Sequence, residues 1–428
     1  VSSRGRRGDP GVQAGGGAAP PACPPKDCLA WHTRGIMSWL KLRYRYRIYP
    51  TDEQVRHLAR EFGAARYAYN WALRLRSDSF RDGVRLNDLK TSAAWTKERR
   101  SLPWASETSC VPPQQALRHL QAAFVNFFDK RLGYPTFKKK AQKQSAEYTR
   151  SAFQYDPSTQ MLSFAKLGAM KVRWSRAFVS DPTTATITKS PSGRYHVTLC
   201  LDEPEPQLLP KTGKGVGIDL GLQRLATLST GERIANPRHQ GARLRELAHA
   251  QRDLARRKKG SGRRNRARLK VARIQEKIAD TRADHMHKLT LDLWRRFDFI
   301  AVEDLHVRGM VQMRSLARSI SDVSFGMFRS LLEYKAKWYG KQVVVIDRFY
   351  PSSKTCSDCG WINQAMTLAV RDWTCKECGV EHDRDENAAK NILAAGQAVT
   401  ACGGGIRLER TPFRKSARRR SVKQQGAA

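Results

Sequence analysis

Residues 215–228 read Gly-Val-Gly-Ile-Asp-Leu-Gly-Leu-Gln-Arg-Leu-Ala-Thr-Leu. An apolar run ending on Asp219, a reversal marked by Gly221 and a second apolar run predict a hairpin whose first strand delivers a carboxylate at its end. Downstream, Phe299-Ile-Ala-Val-Glu303 and Val343-Val-Val-Ile346 are short continuous apolar runs, the kind that fill the middle of a sheet covered on both faces. Helical periodicities separate them. From Gly213 the chain therefore reads strand, strand, strand, helix, strand, helix, strand, helix, which predicts an α/β domain.

Three acids sit at the ends of these elements. Asp219 closes the first strand, Glu303 closes the strand at 299–303, and Asp385 opens a helix in Asp383-Arg-Asp-Glu-Asn-Ala-Ala-Lys-Asn-Ile392. If the strands at 215–219 and 299–303 are neighbours, two carboxylates emerge side by side, and the helix brings a third over them. Such a trio repels itself unless divalent metal binds between the acids; a pair of Mg²⁺ ions held there can activate water and stabilise the leaving oxygen of a phosphodiester. The predicted reaction is metal-dependent hydrolysis of nucleic acid. Alternatives exist for each acid: Asp219 as a turn cap, Asp304 in place of Glu303, and Asp383 either in place of Asp385 or as the cap of the last helix.

Cys356-x2-Cys359, followed after fifteen residues by Cys375-x2-Cys378, supplies four thiolates at metal spacing. Gly360 and Gly379 fall where each knuckle turns, and Trp361 and Trp373 can shield the sulfurs. The set predicts a closed structural zinc site; iron–sulfur ligation is the competing reading, and no redox motif accompanies it. The other five of the nine cysteines are scattered. An odd count with clustered pairs and no secretory signal predicts a reducing compartment, the cytoplasm.

The chain of 428 residues carries 78 Lys+Arg against 39 Asp+Glu, a formal charge of +39, and is 40% hydrophobic. It can build real cores, has no 18-residue apolar span for a membrane, and needs a polyanion to neutralise it. Nucleic acid is the expected partner. Within 251–275 there are eleven Lys/Arg and one acid around the Gly-Ser-Gly at 260–262, which predicts two basic antiparallel helices touching phosphates. Leu40 to Ile48 alternates apolar and basic residues, a strand with one cationic face. Thr51 caps a helix with Val55, Leu58, Phe62, Ala65, Tyr69 and Ala72 on one stripe, and a second helix follows Pro112–Pro113. Short strand-like text fills 133–201, including Phe137-Lys-Lys-Lys140, Val172-Arg-Trp174 and 195–200. The opening strand needs partners from that stretch, so the helices are expected to be inserted in a small β-barrel.

Residues 1–36 have no apolar periodicity and predict a disordered extension, with Met37 as the expected true start; the eight basic residues between Arg407 and Lys423 predict a disordered cationic tail. His285-Met286-His287 matches a metal-binding His-hydrophobe-His signature, but Ile274, Ile278, Leu289 and Leu293 give its surroundings a helical period, which points the two histidines apart. No phosphate-cradling Gly-x4-Gly-Lys-Ser/Thr sequence is present, so no ATP engine is expected.

Taken together, Arg47-Ile-Tyr-Pro-Thr51, Tyr69-Asn-Trp-Ala72, Val216-Gly-Ile-Asp-Leu-Gly221, Val302-Glu-Asp-Leu305, Pro351-Ser-Ser-Lys-Thr-Cys-Ser-Asp-Cys-Gly360 and Asp383-Arg-Asp-Glu-Asn-Ala-Ala389 resemble the TnpB proteins of insertion sequences, compact relatives of type V CRISPR effector nucleases. The resemblance covers about residues 38–400. It implies that Asp219, Glu303 and Asp385 are the Mg²⁺-binding carboxylates of a RuvC-like nuclease with an RNase H fold, and that Cys356, Cys359, Cys375 and Cys378 form a zinc ribbon inserted before its last helix. It also implies guide RNA and target DNA as partners, the protein holding the heteroduplex backbone and reading a short flanking motif.

The expected organisation is a 1–36 extension, a β module from 37–50 and 133–210, helices at 51–132, the nuclease from 211–350 and 380–400, the ribbon at 351–379 and a tail at 401–428. Two other readings of the resemblance stand beside an RNA-guided DNA endonuclease: a non-catalytic nucleic-acid-binding regulator of transposition, and a strand-transferring transposase. Oligomeric state is not legible in the sequence.

Overall fold

A computed structural model describes residues 39–141, 143–367 and 369–401. The predicted extension at 1–36, the start at Met37 and the basic tail from 402 lie outside the described residues.

The alternating segment forms β1 (Trp39–Ile48), with Leu42, Tyr46 and Ile48 buried. Pro50 ends it, and Thr51 caps α1 (Asp52–Arg81) through a capping box: Gln54 N–H donates to Thr51 Oγ1, and Thr51 N–H donates to the Gln54 side chain. Such caps contribute about 1 kcal/mol. Next come α2 (Asp88–Ser101) and α3 (Val111–Phe128), the latter starting with Pro112 and Pro113 in its first turn, where missing N–H groups cost nothing. Helix α2 was not anticipated, because its apolar residues form no stripe; Trp95 is the large side chain it buries. Seven strands follow: β2 (Gln144–Thr149), β3 (Phe153–Asp156), β4 (Met161–Phe164), β5 (Gly168–Met170), β6 (Val172–Arg173), β7 (Thr184–Lys189) and β8 (Tyr195–Pro204).

Strand β1 does find its partners downstream. It runs antiparallel to β8 along its whole length, from Trp39 opposite Pro204 to Ile48 opposite Tyr195, in a sheet ordered β2-β7-β8-β1-β6. A second sheet, β3-β4-β5, closes on the same core, where Phe153, Leu162, Phe164 and Met170 meet Tyr46, Ile48, Leu199 and Leu201. The first turns of α1 add Leu58 and Phe62 to that core, while Ala65, Ala68, Tyr69 and Ala72 pack with Trp95, Leu117, Leu120 and Phe124. One helix thus belongs to two cores. Phe137–Lys140 is not a strand: Asn70 Nδ2 donates to Lys138 O (3.0 Å), Lys138 N–H returns to Asn70 Oδ1 (2.8 Å), and the segment stays irregular.

The α/β region contains β9 (Gly215–Leu220), β10 (Arg224–Leu228), β11 (Arg233–Ala235), α4 (Leu244–Arg256), α5 (Gly262–Arg296), β12 (Phe299–Glu303), α6 (Val307–Met310), α7 (Ala317–Val323), α8 (Phe325–Tyr339), β13 (Gln342–Ile346), β14 (Asp372–Thr374), β15 (Glu381–Asp383) and α9 (Arg384–Ala401). Its sheet is ordered β11-β10-β9-β12-β13, with β9, β12 and β13 parallel and the β9-β10-β11 meander antiparallel. The basic stretch is a helix pair around Leu247, Ala250, Val271, Ile274 and Ile278; both His285 and His287 lie on α5, as their flanks predicted. No helix among the described residues is long and apolar enough to cross a membrane.

Helix α9 crosses this sheet at two glycines. A Cβ on Gly217 of β9 would stand 2.0 Å from the Ala389 carbonyl oxygen, and one on Gly396 of α9 would stand 2.6 Å from Ala301 Cβ. Glycine inside a helix costs about 1 kcal/mol relative to alanine; it is tolerated at Gly396 because alanine would push the helix off the sheet.

Between α1 and α3, Glu61 is fully buried, accepting Ser109 N–H at 2.8 Å. Burial pushes its carboxyl up to about 7, although the Ser109 bond and the charge of Arg99 act the other way. Because the folded value exceeds the ordinary carboxylate value, its share of stability is full below about pH 4.5 and is lost as the pH rises through 7. Glu61→Gln is expected to raise the thermal midpoint over the parent by a few degrees at pH 8 and to leave it level at pH 4.5, read by circular dichroism; an equal gain at both pH values would contradict this account.

Candidate functional site

The register delivers two of the three acids. Gly215 lies opposite Phe299 and Ile218 opposite Val302, so Asp219 and Glu303 occupy the matching next step on adjacent parallel strands. Asp385 lies in the first turn of α9, and the glycine contacts bring that turn to the same end of the sheet. The Asp219 carboxyl is pushed up to about 7, first by burial and then by the negative charges of Asp385 and Glu303, with Arg384 opposing. Glu303 is raised as well, by burial and by Asp304. The acids are spread more widely than a single-ion cage: among the described residues, the clusters with all ligand atoms within 4.8 Å of one another are the four cysteines and Cys356 with Asp358 and His382.

The two competing acids are otherwise engaged. Asp304 accepts hydrogen bonds from Arg329 and Arg348; burial would raise its carboxyl, but these two guanidiniums hold it below its ordinary value. Asp383 caps α9, accepting the N–H groups of Asp385 (3.0 Å) and Glu386 (2.9 Å), and it pairs with Arg233 at 2.8 Å. Arg371 escaped the sequence reading. Its Nη1 donates to Asp385 Oδ1 at 3.1 Å, and its carbonyl accepts Arg384 N–H at 2.7 Å. It lies fourteen residues before Asp385 in a stretch with no local pattern, so only the folded hairpin reveals it.

The four cysteines converge as their spacing predicted. Cys356 Sγ is 3.6 Å from Cys378 Sγ, Cys359 Sγ is 3.6 Å from Cys375 Sγ, and all four sulfurs fall within 4.8 Å of one another as free thiols. Sulfurs about 2.3 Å from a shared tetrahedral ion lie at separations of this size, so the donor set fits zinc. Each knuckle turns on a glycine with positive φ, 81° at Gly360 and 73° at Gly379, which side chains rarely adopt. Trp361 and Trp373 pack on the cluster. The hairpin of β14 and β15 carries Cys375 and Cys378 in its connection, with Asp383 as its last residue before α9. A second residue missed in the sequence is His382, buried with Nε2 3.1 Å from Cys356 Sγ and its ring against Trp373. The metal-binding pattern of four cysteines gave no reason to look for it.

The fold is of the Cas12 type: the chain matches the structure titled "Cryo-EM structure of the Cas12f1-sgRNA-target DNA complex" with a TM-score of 0.51 at 12% identity, over 83% of this chain and 99% of that one. Family models match residues 325–392 ("Cas12f1-like, TNB domain"), 198–314 (OrfB_IS605, "Probable transposase") and 37–83 ("Helix-turn-helix domain"). The last of these covers β1 and the single helix α1. A Streptomyces pristinaespiralis protein provisionally named an RNA-guided DNA endonuclease is 48% identical over 91% of this chain and 97% of its own length. An Escherichia coli (strain K12) protein with the same provisional name is 30% identical over 84% of this chain and 93% of that protein. A TnpB-like protein of Acanthamoeba polyphaga mimivirus is 32% identical over 29% of this chain and 25% of its own. The chain belongs to the TnpB (OrfB) family.

Elemental analysis of purified protein is expected to find one zinc per chain. Cys356→Ser should remove it and shift the emission of Trp361 and Trp373 to longer wavelength; undiminished zinc content would sink the four-thiolate assignment.

Proposed function

We propose that this chain is an RNA-guided DNA endonuclease of a transposable element, hydrolysing phosphodiesters at a RuvC-like site formed by Asp219, Glu303 and Asp385. The observation that carries the reading is the placement of Asp219 and Glu303 at adjacent parallel strand ends, with Asp385 in the first turn of the helix packed against that sheet. The strand order β11-β10-β9-β12-β13, with a parallel set beside an antiparallel meander, supports an RNase H-like core spanning 211–350 and 380–400. The names of the long-aligning relatives support guide RNA and target DNA as partners. In this reading 351–379 is the zinc ribbon, 37–50 and 133–210 the β module, and 51–132 the helical recognition unit. The protein works in the cytoplasm of a bacterial or archaeal cell.

Magnesium held by the three acids would supply Lewis-acid stabilisation of the charge that develops on the phosphate. The chain's own residues do the positioning. The paired strand ends fix Asp219 and Glu303, Asp383 fixes the first turn of α9, and Arg371 orients Asp385 while keeping a cation at the site. Exposed Arg263, Arg266, Arg268 and Lys270 on α5, with Arg43 and Arg45 on β1, give the backbone contacts that a protein needs when base pairing reads the sequence.

Sequencing RNA that copurifies with the protein tests the guided reading, and a defined guide then permits a plasmid-cutting assay. Asp219→Ala and Glu303→Ala are each expected to lower cutting at least about a hundred-fold while RNA is retained. Arg371→Ala should cut more slowly than the parent, and Arg371→Lys should restore part of the rate. Protein without RNA, or full cutting by Asp219→Ala, would overturn the reading; joined DNA products would favour strand transfer.

A further inference from the structure

Tyr69-Asn-Trp-Ala72 has no part in the carboxylate site, yet it organises a second feature. Tyr69 and Ala72 turn into the helical core, and Lys138 Nζ sits 3.9 Å from the centre of the Tyr69 ring. The two-way clamp between Asn70 and the Lys138 backbone holds the irregular segment against α1 and leaves Phe137 51% exposed. Beside it Trp71 lines a groove of about 610 Å³ along the outer face of α1, together with Arg66, Tyr67, Arg74, Trp104 and Phe137.

Three properties of the groove point to an occupant. It is aromatic on several sides, with Tyr67 39% exposed and its ring centre 5.4 Å from that of Trp104. Its charged lining is three arginines and no acid: Arg60 and Arg74 are paired with Glu107 and Asp78, while Arg66 forms no ion pair among the described residues. Its floor includes Gly63, in the interior of a 30-residue helix. Glycine disfavours helix relative to alanine there, and nothing within the chain requires it, since an added Cβ would meet only Arg66 Nη2 at 4.0 Å. The missing side chain leaves room for something outside the chain.

We propose that this groove binds an unpaired nucleotide of a single-stranded nucleic acid, its base stacked on the exposed rings and its phosphate against Arg66. Every base has a face for stacking and every strand a phosphate, so aromatic rings with an uncommitted guanidinium suit single strands without a fixed sequence. The lining carries three arginines and no carboxylate, and with Arg60 and Arg74 paired it is Arg66 that stays available for a phosphate. The inference rests on the nucleic-acid-binding reading above but not on the cutting chemistry.

The test is photo-cross-linking of the full chain to 5-iodouracil-substituted single strands, one RNA and one DNA of the same sequence, followed by peptide mapping. Cross-links are expected on Tyr67, Trp104 or Phe137, and the strand that gives them identifies the source. Phe137→Ala, at an exposed position, and Gly63→Leu, which fills the floor while favouring helix, should each lower the yield at these positions at least about five-fold with unchanged or higher thermal midpoints. The proposal is overturned by no cross-link in 60–74, 104 or 134–140 with either strand, by undiminished yield in Gly63→Leu, or by a duplex competing as well as a single strand. Since cross-linking needs no cleavage, failure here with guided cutting intact removes the groove alone, and cross-linking without cutting removes the nuclease reading alone.

Discussion

The contact between α9 and the central sheet is made without side chains at its tightest points. Gly217 admits the backbone around Ala389, and Gly396 admits Ala301. Much else depends on that closeness. It brings the first turn of α9 to the end of β9 where Asp219 emerges, so the electrostatic coupling of the acids follows from helix–sheet packing rather than from any loop. It also fixes where the thiolate hairpin can sit, since β15 runs directly into α9 through Asp383.

The cysteine hairpin and the acid on α9 are linked mechanically by this arrangement. Arg371 precedes β14 by one residue, accepts the Arg384 N–H through its carbonyl and donates to Asp385 through its side chain. The base of the cysteine hairpin and the acid on α9 are therefore tied at both backbone and side chain. Asn387 and Asn391 extend the tie: their amides donate to the Thr355 carbonyl just before Cys356.

What was legible in the sequence followed local rules. Alternation at 40–48, the Thr51 cap, the prolines at α3 and the CxxC spacing each specify geometry within a few residues, and the structure follows them. The α/β order was legible because buried strands read as continuous apolar runs. The failures share a cause as well. Phe137–Lys140 has a strand-like composition but commits its backbone groups to Asn70, far back in the chain. Helix α2 is held by one buried tryptophan rather than by a stripe. Arg371 and His382 derive their positions from a hairpin that closes only in three dimensions. Glu303 and Asp304 likewise read alike in the sequence, and only the fold shows that two arginines engage Asp304.

The pairing of β1 with β8 bears on how the chain is made. Ile48 must wait for Tyr195, and Trp39 for Pro204, so a ribosome releases the first strand long before its neighbours exist. Such long-range closure is slow compared with the local helices α1 to α3, which can form while synthesis continues. In that interval β1 is a bare edge, and edges invite pairing with other chains. The alternating arginines at 43, 45 and 47 keep such an edge apart from copies of itself by like charge, so residues suited to holding a polyanion in the finished protein also guard the nascent one.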